Sequence, residues 1–480
     1  MNAAIRATRE IPGSQRWFLP DWARQTLDKL PFVCLILSLV IGGAYRVQTA
    51  EEKFEIWNGF SVFVDLAAHY RTTLGRYDQS EVNAINANPD DYVFRRDTRE
   101  LPPSWSINNE VGWPFILSLI IPEGTQGIKN IAMIVLRYQI MLDMLVIVMF
   151  YFLGRAIAGI VGAIAAPLAY AIFQMPMVMA SWVVYYYWPI PLSVAALLAF
   201  VKFYELFPLE RNSVGKLSYA LGLGLFIGFA THIRLHFLLL PLVYIPFMAF
   251  KGKCGKKSLV VISIFLLGHL MAVSLLVAQN KSNFGRAVIT TRGAWHGILQ
   301  GVGAYPNPWG ITDSGEVTLN TWIVAQGGPD LNTAGLSAWD DWSKKKSLEL
   351  IRERPDIFLR NFLSNFSAGL SVSPHFLVFH GLLSTDQDKD RLKAVFPWLV
   401  LASIILLYYL DRPKLFIYLT ALSQGLLFLL LVTMYFVNYI PWMGGYIPIF
   451  ALLTATSVSI VLQGASRALG FFVRSRFRGA

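Results

Sequence analysis

Asp65 and His69 stand one helical turn apart in FVDLAAHYRTTL, residues 63–74. A carboxylate held beside a reacting hydroxyl can take its proton, and an imidazole at i+4 is close enough to share the work. Further along, Arg234 is flanked by His232 and His236 in THIRLHF. A guanidinium fork suits phosphate oxygens, so this trio is a candidate anion grip. Lys281, Arg286 and Arg292 follow in NKSNFGRAVITTR and are weaker candidates, because polar loops ordinarily carry such charges. Glu110 precedes Gly112-Trp113-Pro114. It either helps bind an acceptor or a divalent ion, or it is an acid favoured at a helix N-terminus. His296, His375 and His380 could line the same hollow, but His375 and His380 are five apart and no zinc-type spacing occurs, so no metal ligands are assigned. Asp143 sits mid-span in QIMLDMLVI. An intramembrane acid is a functional candidate by default, although a polar pair with Arg137 or with another span is the simpler reading.

These groups sit in a chain of 480 residues that is 55% hydrophobic, 14% aromatic and only 15% charged. Soluble domains carry roughly 25% charge. Several apolar runs approach or exceed ~18 residues, enough to cross a bilayer as helices. Barrel strands would read as ~10-residue alternating segments, and AMIVLRYQIMLDMLVIVMFYFL does not. The expected class is therefore all-α and polytopic. The net charge of +11 reports orientation rather than nucleic acid, since Lys and Arg collect on the cytoplasmic side. Cys34 and Cys254 are not expected to pair, and no cleavable signal is expected at the N-terminus.

Basic clusters set the topology. Residues 1–29 hold Arg6, Arg9, Arg16, Arg24 and Lys29 and are placed inside, and the tail 464–480 is placed there too. KGKCGKK, residues 251–257, is the strongest inside marker. Spans are expected at about 30–47, 131–153, 156–174, 177–203, 217–231, 235–250, 259–278, 394–410, 414–436 and 446–463. This gives about ten crossings (10–13 with short or re-entrant segments) and both termini cytoplasmic. The resulting organisation is an N-terminal membrane module, 30–278, containing a first outer loop, 48–130; a second outer loop, 279–393; and C-terminal membrane helices, 394–463. Residues 48–112 carry eleven acids against six bases, which suits the outside.

Loops longer than ~12–15 residues are usually functional or disordered, and these two read as ordered. Residues 60–75 form an amphipathic helix with Val62, Phe63, Leu66, Ala67, Tyr70 and Leu74 on one face and Asp65, His69 and Thr72 at the other edge. PDIFLRNFLSNF repeats the pattern with Ile357, Phe358, Phe362 and Phe366, starting at Pro355. FLVFHGLL is too short to cross and reads as interfacial or re-entrant. WVVYYYWPIP, residues 182–191, could line a groove for a prenyl chain or a sugar, although an interfacial aromatic belt is the commoner cause.

The order of these features resembles the GT-C glycosyltransferases, polytopic enzymes that use lipid-phosphate-linked sugars. The matching pieces are Asp65 in FVDLAAHY, the Pro-led EVGWPFILSLI closing the first outer loop, and GLGLFIGFATHIRLHFLLLPLVY with its basic residue near the outer end. QNKSNFGRAVITTRGAWHGILQG after the next outward span and the later ELIRERPDIFLRNF complete the series. Many members have two adjacent acids in the first motif, whereas Asp65 is followed here by Leu66, which leaves Asp65 the sole candidate there and puts a metal at that pair in doubt.

The resemblance implies an inverting transfer on the outer face, from a polyprenyl-phosphate sugar to the hydroxyl of a glycolipid, polysaccharide or protein. It casts Asp65 as general base, leaves a divalent cation (Mg²⁺ or Mn²⁺) open as cofactor, and suits a bacterial inner membrane. A phosphate leaving group needs no general acid, so one carboxylate suffices, unlike the two used in glycoside hydrolysis. The competing readings are an O-antigen-type ligase or polymerase, which would lean on arginines and a His of the large loop, and a lipid-linked sugar transporter or flippase. The latter would show midplane sites and internal repeats.

Overall fold

The structure is a computed structural model. It describes residues 21–56, 60–70, 79–96, 112–183, 187–206, 213–251, 255–285, 287–289, 294–303, 305–312, 316–372, 386–433 and 445–478. It is all-α apart from two two-residue strands. In chain order the elements are α1 (Asp21–Lys53), β1 (Glu55–Ile56), α2 (Phe60–Ala68), α3 (Gln79–Ala87), α4 (Gly112–Ile120), α5 (Ile128–Ile172), α6 (Gln174–Ser181), β2 (Trp182–Val183) and α7 (Pro189–Leu206). Then follow α8 (Val214–Ile233), a 3-10 turn (Leu235–Leu239), α9 (Pro241–Lys251), α10 (Lys256–Phe284), α11 (Ala294–Gly303), α12 (Glu316–Ala325) and α13 (Leu331–Glu353). The last four are α14 (Pro355–Val372), α15 (Asp386–Leu410), α16 (Arg412–Thr433) and α17 (Ile447–Arg478).

Eight of the ten expected spans fall on α-helices; 177–203 is divided between α6, β2 and α7, with 184–186 outside the described residues, and 235–250 between the 3-10 turn and α9. Among the described residues, six helices are long and apolar enough to cross a membrane: α1, α5, α8, α10, α16 and α17. Leu235–Lys251 and Ala394–Leu410 are shorter apolar helices. The chain is a multi-pass membrane protein. Large apolar side chains are exposed along its helices, such as Phe32 and Val40 on α1, Met141 on α5, Leu270 on α10 and Leu401 on α15. In a bilayer these groups face lipid.

Two of the expected spans share α5. Its continuity breaks at Gly159, where φ is 67° and ψ −145°. A positive φ costs a glycine little, so the chain reverses there and the two halves run antiparallel. Tyr170 on the second half thereby reaches Asp143 on the first, at 2.6 Å.

Asp143 is paired with Arg46 of α1, not with Arg137, which is exposed. Both partners are fully buried. Arg46 also donates through Nη1 to the carbonyls of Gly42 at 3.0 Å and Ala171 at 3.2 Å, and Tyr187 donates to Asp143 at 3.1 Å. In the aromatic run 182–191, Tyr187 and Trp188 are thus interior, with Trp188 against Trp113 of α4 at 5.2 Å between ring centroids. Val184 to Tyr186 lie outside the described residues.

Helices α8 and α10 meet backbone to backbone. A Cβ on Gly224 would overlap the Phe265 carbonyl, and one on Gly268 would overlap the Leu221 carbonyl. Small residues at such crossings are the usual device of membrane helix packing. Gly224→Ala is expected to cost about 1–3 kcal/mol through overpacking. Gly222→Ala, which meets nothing within 4 Å, should be neutral or mildly stabilising. Thermal unfolding of both variants in detergent checks this.

The second long segment builds its own small core from α11 to α14, around Leu299, Val302, Leu319, Ile323 and Trp339. It is tied to the membrane helices where Tyr305 donates to Asn365 of α14 at 2.7 Å and Asn365 donates to the Thr433 carbonyl of α16 at 3.4 Å. FLVFHGLL, with His375 and His380, lies outside the described residues.

Candidate functional site

The site begins with how α2 is held. Parallel pairing of Glu55 with Trp182 and Ile56 with Val183 fastens the end of α1 to the segment after α6. The chain then enters α2, which packs against α3 and α4. Phe60, Phe63, Val64, Leu66, Ala67 and Ala68 are all buried, and so is Asp65. The sequence suggests a surface helix with a solvated polar edge; the structure covers that edge. The reason is tertiary: α3, α4 and the strand-like segment 89–96 close over it. That segment is pinned by Phe94 N–H to the Thr125 carbonyl at 2.8 Å and Gly127 N–H to the Tyr92 carbonyl at 2.7 Å.

Under this cover, Asp65 and His69 meet Glu81 of α3. His69 Nε2 lies 2.9 Å from Glu81 Oε2 and 3.4 Å from Asp65 Oδ1. The Asp65 and His69 side chains are 1% exposed, that of Glu81 31%. Burial alone would lower the His69 pKa; the hydrogen bonds and charges of Asp65 and Glu81 outweigh it and raise the value to about 9. His69 is therefore an imidazolium at neutral pH, held between two carboxylates. Tyr92 stands near enough to feel both acids: burial first, then their charges, raise its phenol above the ordinary value. Tyr70, beside His69, packs on Phe115 of α4 at 5.4 Å and is hydrogen-bonded to Gln279 at the end of α10.

A group titrating at about 9 when folded, against 6.5 in a free imidazole, holds its proton more tightly in the native state. Its stabilising contribution is complete below about pH 6.5 and is lost as pH rises through about 9. The unfolding temperature of the wild type should fall over that window, and this part of the fall should vanish in His69→Gln. Melting curves of the two proteins from pH 6 to 10 test the assignment.

Asp65, His69 and Glu81 each offer one ligand atom, and the three atoms lie within 4.8 Å of one another. The sequence reading assigned no metal ligands; the structure assembles a candidate set from two helices. Two donors at ~2.1 Å from a tetrahedral cation stand about 3.4 Å apart, so the side chains must draw together to close the set.

Arg234 interrupts α8 and the 3-10 turn with extended backbone (φ −148°, ψ 126°), and it is buried. Helix α4 packs against both α2 and α8, and Gly112 at its start lies on His232 and Ile233. One short helix thus links the carboxylate cluster to the Arg234 region. His232 donates Nε2–H to the Ala272 carbonyl at 2.8 Å, which commits that nitrogen to α10. His236 packs on Phe428, 5.3 Å between centroids. Lys281 is exposed near the end of α10. His296 is buried against Trp339 at 5.4 Å, inside the core of the second long segment rather than in the Asp65 cluster. Glu110, Arg286 and Arg292 lie outside the described residues.

Glu81 was the residue sequence reasoning missed. Its signal was weak: an acid in QSEVNAINA beside Val82 and Ile85, which are both buried. Arg46 was missed too, although a charge inside an apolar span marks itself.

No protein-family model matches the sequence, and no curated protein is similar to it in sequence. The structure is similar to those of an oligosaccharyltransferase from Archaeoglobus fulgidus. The archaeal oligosaccharyltransferase AglB in complex with an inhibitory peptide and a dolichol-phosphate matches with a TM-score of 0.52 and 13% identity, covering 92% of this chain and 52% of that one. The apo form of the Archaeoglobus fulgidus enzyme matches with a TM-score of 0.51 and 15% identity, covering 93% and 52%. The chain spans about half the length of these proteins. At such identities the likeness is one of fold: an all-α, multi-pass membrane bundle.

Proposed function

We propose that the protein is a glycosyltransferase that moves a sugar from a polyprenyl-phosphate donor to an acceptor hydroxyl at the outer membrane surface. The observation that carries this reading is the buried Asp65 carboxylate, paired with His69, which Glu81 holds in turn, within a GT-C-like fold. The acceptor oxygen attacks the anomeric carbon from the face opposite the phosphate. The new C–O bond forms as the bond to phosphate breaks, the lipid phosphate leaves with the electron pair, and Asp65 takes the hydroxyl proton. The anomeric configuration inverts. His69 Nε2–H stands between the two carboxylates, so it can give its proton to Glu81, which reaches solvent, and then take the one Asp65 has accepted, which returns Asp65 to the carboxylate and His69 to the imidazolium. Arg234 is the leading cation for the donor phosphate; Lys281, Arg286 and Arg292 are weaker candidates for it. The long segments 48–130 and 279–393 face outward, both termini inward, and a bacterial inner membrane suits the arrangement.

Purified protein incubated with radiolabelled polyprenyl-phosphate sugars and candidate glycan acceptors tests the reading. Label is expected in the acceptor. Lipid moving across the bilayer with no bond exchanged would support a transporter instead.

The same three residues support a second role for the cluster. One imidazole nitrogen and two carboxylates form a mixed N/O set, which suits Mn²⁺ or Zn²⁺ better than Mg²⁺ with its preference for oxygen. A bound divalent ion would supply charge to steady an anionic donor. Binding would require His69 to lose its proton, so affinity should rise with pH. Adding Mn²⁺ or Zn²⁺ should raise the unfolding temperature of the wild type and leave that of Glu81→Ala unmoved.

A further inference from the structure

One turn below Asp65 lies a cavity of about 360 Å³, between β1, α2, α3 and the first turn of α5. Its walls are Ile56, Phe60, Ile85 and Ile128, and its polar groups are Ser61 and Asn86. Ser61 precedes Asp65 by four residues, so the two side chains share a face of α2 about 6 Å apart along its axis. Ser61 is 5% exposed, and its hydroxyl makes no hydrogen bond to any described residue. A buried hydroxyl without a partner is costly and calls for one.

We infer that this cavity is a subsite for a neutral sugar unit of the acceptor, seated beside the hydroxyl that Asp65 deprotonates. The inference rests on the reading of Asp65 as base. Among the described residues no charged side chain lines the cavity, so a phosphate or carboxylate finds no counter-ion among them, and the donor's phosphate end belongs elsewhere. An acyl chain would fill the walls but leave the Ser61 hydroxyl unsatisfied. An uncharged ring with hydroxyls meets both demands: its C–H faces lie on Phe60 and the isoleucines, and its hydroxyls reach Ser61 and the Asn86 amide at the mouth. The volume is at the lower end of small-molecule sites, enough for a monosaccharide.

Saturation-transfer NMR of the purified full-length protein with a panel of neutral methyl glycosides tests this. At least one glycoside should receive saturation from the wild type. Ser61→Phe, which fills the cavity, should abolish the signal. Ser61→Ala and Asn86→Ala, which perturb packing little, should each weaken binding about fivefold and serve if Ser61→Phe does not fold. Asp65→Asn should keep the signal while losing transfer. Equal binding by wild type and the Ser61 variants, or no binding of any glycoside to the wild type, would overturn the subsite and leave the Asp65 reading intact. Normal transfer by Asp65→Asn with glycoside binding still lost in Ser61→Phe would instead sink the base and leave a sugar site standing without it.

Discussion

Asp65→Asn is expected to transfer sugar about 10²–10⁴ times more slowly than the wild type while remaining folded. That range is what a positioned acid–base group contributes. Asparagine has the carboxylate's shape and can still meet His69, but it cannot accept a proton. The acceptor hydroxyl then attacks with its proton in place. The substitution also removes one of the two carboxylates that raise the His69 pKa, so the pH window of that residue should move down. His69→Gln, which disturbs the orientation and proton path of Asp65 but not the base itself, should lose less. Initial rates with a radiolabelled donor, read beside melting curves, separate the two. A folded Asp65→Asn protein with wild-type rate would remove Asp65 from the chemistry.

Breaking the intramembrane pair is expected to give the largest loss of stability. Asp143→Leu strands Arg46, whose side chain is fully buried and faces Asp143, Gly42 and Ala171. Removing one partner of a buried pair typically costs about 3–5 kcal/mol, because the remaining charge is left uncompensated. The double variant Arg46→Met/Asp143→Leu should recover most of the loss, since apolar replacements of similar volume are often neutral or stabilising. The pair joins α1 to both halves of α5, and through Tyr187 and its neighbour Trp188 it touches Trp113 of α4, which packs on α2. Activity should therefore fall with the folded fraction in Asp143→Leu and return in the double variant. Denaturant unfolding in mixed micelles reads the energy, and the double-mutant cycle isolates the coupling.

Much of the fold was legible because a bilayer imposes a simple rule: long apolar runs become helices that satisfy their own backbone. A reversal within α5 was legible too, since Arg155 separates the expected spans 131–153 and 156–174, although the turn itself lies four residues on, at Gly159. Asp65 and His69 could be paired from their i, i+4 spacing. Glu81 could not, because it lies on another helix twelve residues beyond His69, and no local rule brings α3 back over α2. Burial of α2 was missed for a related reason: a helix with an apolar face and two polar residues looks the same whether its polar edge meets water or a covering helix. Of the two partners the sequence offers Asp143, Arg137 or another span, the structure takes the second. Six residues of α-helix turn about 600°, which puts the two on well-separated faces, and the available cation was Arg46, inside what read as the first span.

The most direct test of the central claim is a cryo-EM structure of the full chain with a polyprenyl-phosphate sugar bound. If Asp65 serves the reacting hydroxyl, the anomeric carbon will sit about 6 Å from its carboxylate, leaving room for one acceptor oxygen in contact with both. The phosphate will then point away from Asp65, toward a cationic group such as Arg234. A donor whose anomeric carbon lies far beyond that reach, with Asp65, His69 and Glu81 closed upon one another and untouched by it, would contradict the account.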